Sequence, residues 1–126
     1  MSRIKTTGLI FLIFLSAAPA AASQNLFRDF AICAGRYSAA LSHAWLMNSD
    51  AAEDYEHNRA VFASLVEASV PAGEERHALA LRIDARMAFA SLLTQADFSF
   101  DKERADHARH LAHDQIRVCR LLTLDS

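Results

Sequence analysis

Between residues 23 and 126 the chain holds only two glycines, Gly35 and Gly73, and one proline, Pro71. Alanine is abundant there, and no stretch alternates polar with β-branched residues. A backbone with so few breakers and no strand pattern folds as helices. Interruptions and capping residues divide it into four periodic segments, predicted at about 25–47, 50–70, 73–95 and 101–122.

In the first segment Leu26, Phe30, Cys33, Tyr37, Leu41 and Ala44 recur every three or four residues as one stripe. Asn48, Ser49 and Asp50 interrupt it, and Asp50 followed by Glu53 reads as the cap of a second helix with the stripe Tyr55, Phe62, Leu65, Val66 and Ser69. Pro71-Ala72-Gly73 turns the chain. Glu74 and Glu75 suit the positive end of a third helix, whose apolar sector is Leu79, Ile83, Phe89, Ala90, Leu92 and Leu93. Asp97-Phe98-Ser99-Phe100 reads as a loop, and Asp101 caps a fourth helix with Ala105, Ala108, Ala112, Ile116, Cys119 and Leu122 inside.

Four such segments on short turns predict an all-α chain, an antiparallel up-down-up-down four-helix bundle. There the start of the first helix and the end of the fourth share one end of the molecule. Cys33 and Cys119 both lie on core stripes at that end, so a disulfide joining the first and last helices is expected.

Ahead of the helices, Arg3 and Lys5 precede the apolar run GLIFLIFL at 8–15, which passes through Pro19 into Ala20, Ala21 and Ala22. Cationic, then apolar, then small is the order of a cleavable secretory signal peptide, here 1–22, cut before Ser23 with the Ala18-Pro19-Ala20 site as the alternative. The apolar run extends about 10 to 12 residues, where a bilayer span needs roughly 20. The expected product is a single domain, 23–126, with no membrane association after cleavage, periplasmic or secreted by the general secretory route. Export also provides the oxidising setting a disulfide needs. Abundant alanine and a large excess of arginine over lysine point to a bacterial, GC-rich coding sequence.

Losing Arg3 and Lys5 takes the formal charge from −2 to −4. A mildly acidic surface argues against a nucleic-acid partner, whose phosphates call for a basic footprint. Catalytic patterns are missing too: the sequence has no G-x-S-x-G, no H-E-x-x-H, no Cys-x-x-Cys and no phosphate-cradling glycine loop. Cys119 lacks the second cysteine and the histidine of a covalent haem site. The expectation is a non-enzymatic protein without a cofactor.

Three features remain. One side of the first helix carries Ile32, Gly35, Ala39, Ser42 and Leu46, small or apolar where a solvated face would be charged. This is a candidate interaction face for a protein partner or a homodimer, unless the helix simply has neighbours on both sides. His107, His110 and His113 stand among Glu103, Asp106 and Asp114, a spacing permissive for zinc or copper. An exposed face that also carries Arg109 and Arg117 is more ordinarily solvated charge. Arg82 and Arg86 flank the apolar sector of the third helix, where their stems cover apolar surface or their heads reach a ligand. The sequence therefore points to a small exported protein-binding accessory or self-associating module, with a metal-binding protein on the His107/His110/His113 face as the alternative.

Overall fold

The structure, a computed structural model, describes the backbone of residues 20–124 and the side chains of 26–124. The segment read as a signal peptide, 1–22, lies outside the described residues except for 20–22, the first turn of a helix. Four helices follow in order: α1, Ala20–Leu46; α2, Ala52–Ser69; α3, Glu75–Phe98; and α4, Lys102–Leu124. Among the described residues there is no strand, and no helix is long and apolar enough to cross a membrane.

Asp101 caps α4 as expected, its Oδ1 accepting the Arg104 backbone N–H at 3.2 Å. Asp50 does not cap α2. The N-cap is Ala51, whose own N–H donates to Ser49 Oγ at 3.2 Å. The reversal falls within the expected interruption, at Asn48, which takes a left-handed φ of 50°, a conformation asparagine tolerates better than most residues. Asp97 and Phe98, read as loop, extend α3 by a further turn, and the chain breaks only at Ser99.

The disulfide is present: Cys33 and Cys119 are bonded with Cα atoms 5.6 Å apart, closing a loop of 86 residues. Arg36 Nη1 donates to the Gln115 carbonyl nearby at 3.3 Å. Partners of rising number on α1 thus meet falling numbers on α4, and the two helices run in opposite directions. On α2 the same holds, since Phe30 meets Phe62 while Tyr37 reaches both Phe62 and Tyr55.

The helices are not arranged as a square with equal neighbours. The principal interfaces are α1 with α2, α1 with α3, and α3 with α4; α1 meets α4 less extensively, and α2 has no substantial interface with α3 or α4. So α1 is the central element, and its composition explains why. Ala31, Ala34, Ala39 and Ala40 are all buried, and Gly35 lets α3 come close. A Cβ at Gly35 would stand 2.2 Å from the Arg82 carbonyl oxygen and 3.0 Å from Ala85 Cβ. Because the first of these is backbone, a side chain there requires the two helices to separate.

Three buried clusters result. Phe30, Tyr37, Phe62 and the disulfide form the first, with Leu65, Val66 and Leu122 packed on it. Phe27, Ala31 and Ala78 form the second, near the α2–α3 turn. The third joins Ala39, Ala40, Phe89 and Ala112 across α1, α3 and α4. Not every residue of the expected stripes faces inward: Leu26 of the first helix is exposed, and of the apolar sector read on the third helix Phe89 is buried but Ala90 is exposed and Leu79 and Ile83 are 56% and 47% exposed. The small Ala78 takes the inward position instead, because the close approach at Gly35 leaves α3 little room for a large side chain there.

Candidate functional site

The uneven packing leaves α2 and α4 apart, and an open cleft of about 550 Å³ lies where a square bundle would have closed. Its size falls in the range of small-molecule sites, roughly 300 to 1,000 Å³. Ala40 and Ala44 of α1, Phe89, Leu93 and Ala96 of α3, and Ala112 and Ile116 of α4 make an apolar floor. Met47 and Ser49 from the α1–α2 turn and Tyr55 of α2 close one side.

The polar lining has one dominant sign. Arg109, Arg117 and Arg120 of α4 line the cleft together with His43 and His113, against the single acid Asp97. His43 Nε2 meets Asp97 Oδ2 at 2.5 Å, tying the end of α1 to the end of α3, and the His43 ring packs edge-on against Phe98. Arg109 is held in place by two contacts: Nη2 donates to the Ala96 carbonyl at 2.7 Å and Nη1 to Asp106 at 2.9 Å. Arg120 Nη2 reaches Asp54 Oδ2 at 3.4 Å, bridging α4 to α2 across the gap. Arg117 is the loosest, 4.0 Å from Asp114.

Behind this wall sits a polar anomaly. Tyr37 is fully buried, stacked 5.6 Å from the Phe62 ring, and its hydroxyl has no hydrogen-bond partner. Burial pushes the phenol above its usual range, while Arg120, close enough to act on the oxygen, pulls the other way without forming an aligned bond. On the opposite side of α4, burial lowers Arg36 from its ordinary value and Asp29 opposes the shift.

The residues singled out from the sequence are dispersed. Gly35 and Ala39 are buried inside the chain against α3; Ile32 is half-buried, and Ser42 and Leu46 are exposed. Ser42 Oγ donates to the Ser38 carbonyl. His107 and His110 lie exposed on α4, and His113 borders the cleft with its ring 3.9 Å from Asp114. Among the described residues no group of three His, Cys, Asp or Glu side chains is placed to share a metal ion. Arg82 and Arg86 do not line the cleft.

Sequence reasoning missed the cleft itself. Its signal was present: positions 109, 113, 117 and 120 follow helical spacing, and all four hold Arg or His beside the alanine stripe of α4. No protein family matches the chain, and no curated protein or solved structure is significantly similar to it. Function must be argued from the cleft alone.

Proposed function

We propose that this is an exported, non-enzymatic binding protein that holds a small, largely apolar molecule in the cleft between α1, α3 and α4. The observation that carries the reading is the cleft's floor: seven apolar side chains from three helices, facing a space of about 550 Å³ that no helix fills. Burying a ligand against such a floor contributes about 0.8 kcal/mol for each methylene removed from water. The acid–base pair on the lining, His43 with Asp97, ties α1 to α3, and Ser49 Oγ accepts from the Ala51 N–H, an arrangement that favours holding over transforming. Export rests on the signal-like order of residues 1–22 and agrees with the disulfide.

Uptake of a neutral solvatochromic dye such as Nile red tests the reading. The protein is expected to bind it with a blue-shifted emission, and Leu93→Trp, which fills the cleft from one wall, to abolish uptake while the protein stays folded. Equal uptake by both forms would place the dye elsewhere and remove the support.

A second reading, a protein-binding or self-associating module, draws on the end of the molecule beside the cleft. Trp45 and Leu46 at the end of α1, Met47 in the turn after it, Phe98 at the end of α3 and Phe100 in the α3–α4 turn are all strongly exposed there, and apolar surface of this kind tends to mark contact sites. Solution mass decides it: a dimer that Leu46→Glu converts to a monomer supports self-association, and a monomer at all concentrations counts against it.

A further inference from the structure

Resting on the reading of the cleft as a ligand site, we infer that the ligand is an amphipathic anion, an aliphatic body with a single carboxylate-like head, and that Arg117 and Arg120 receive the head.

The cleft joins two chemistries. Its floor is aliphatic and aromatic with no polar side chain, which suits an unbranched or cyclic hydrocarbon. Apart from the neutral Ser49 and Tyr55, the polar side chains around it are arginine or histidine with the single acid Asp97, and Asp97 is already engaged by His43. The concentration is not a consequence of a basic protein, since the chain as a whole is negative.

Geometry orders the cations along the cleft. The positions 109, 113, 117 and 120 run down one edge of α4 for about 16 Å at 1.5 Å per residue. Arg109 is fixed at one end by the Ala96 carbonyl and Asp106, so it stabilises the wall and has little left to offer a ligand. Arg117 and Arg120, one turn apart, are paired only through exposed contacts of 4.0 and 3.4 Å with Asp114 and Asp54. Exposed pairs of this kind are weak, and a carboxylate arriving with its hydrocarbon already out of water displaces them through bidentate, charge-assisted hydrogen bonds. Arg120 has a further reason to turn inward, because the unpartnered Tyr37 hydroxyl lies beside it.

Calorimetry with three probes that share one tail tests the assignment: sodium decanoate and decyltrimethylammonium below their micelle concentrations, and decan-1-ol below its solubility limit. Decanoate is expected to bind about tenfold more tightly than the alcohol, a gain in keeping with one charge-assisted interaction, and the ammonium more weakly than either. Arg117→Gln and Arg120→Gln each weaken decanoate about threefold and together about tenfold, by the loss of that interaction, and leave the alcohol unchanged. Both side chains are exposed, so folding is preserved. If the alcohol matches decanoate, or neither substitution moves decanoate, the anionic assignment falls while the cleft still stands as an apolar site. If none of the three binds, both readings fall together.

Discussion

The two ends of this small protein are built to different standards. At one end Cys33, Tyr37, Phe62 and Cys119 are each 2% exposed or less, and α1, α2 and α4 are tied by the disulfide and stacked rings. At the other, the same α1 continues through Ala40, His43 and Ala44, but α2 and α4 share no substantial interface to cover it and the inward faces line a cleft. One helix thus passes from a closed core to an open wall. The difference separates a closed, disulfide-tied end from an open one, and the proposed binding role rests on that division.

Removing the disulfide attacks that division most strongly. In the chain-entropy view a closed loop of this length restrains the unfolded state by about 4 to 5 kcal/mol, with native strain subtracting from the figure. Cys33→Ala with Cys119→Ala is expected to lower the unfolding free energy by most of that amount, measured by denaturant titration followed by far-UV circular dichroism. Phe62→Ala follows, at about 3 to 5 kcal/mol, because a fully buried ring leaves a cavity the stacked Tyr37 and Phe30 cannot fill. The matched truncation at the open end, Leu93→Ala, is expected to cost only about 1 kcal/mol: the side chain already borders open space, so the change enlarges a cleft and creates no void. Similar losses at Phe62 and Leu93 would erase the contrast between the ends.

Gly35→Ala comes next, with an expected loss of about 1 to 3 kcal/mol as α1 and α3 are pushed apart. Its second readout is the cleft, since the same displacement moves Phe89 away from Ala40 and weakens dye uptake. Tyr37→Phe is the smallest. Deleting a buried hydroxyl with no partner is expected to be neutral or to stabilise by up to about 1 kcal/mol at neutral pH. Its pH signature has a definite sign. The folded phenol is held above its ordinary value near 10, so above that pH the unfolded chain ionises first and stability declines. Alkaline unfolding of the Tyr37→Phe variant lacks that component.

The closed end was readable from the sequence because its logic is one-dimensional. Cys119 sits on an alanine stripe with helical spacing, Cys33 on a matching one, and two short-looped helices of opposite direction bring such positions together. The open end was not, because periodicity says that Ala40, Phe89, Ala112 and Ile116 face inward without saying whether a fourth helix arrives to cover them. Arg109 and Arg117 looked like solvated charge for the same reason: a helix edge bordering a cleft and one bordering solvent carry the same residues. Leu79 and Ile83 were misplaced because the approach of α3 to Gly35, a three-dimensional fact, favours Ala78 over a larger neighbour.

The central claim is that the end beyond Ala40 is a preformed site. Methyl NMR during titration with decanoate tests it most directly. The account predicts shifts confined to Ala44, Leu93, Ala112 and Ile116, with the methyls of Val66 and Leu81 at the closed end unmoved. Shifts centred on the exposed side chains Leu79, Ile83 and Met87, or spread evenly over the protein, would contradict it.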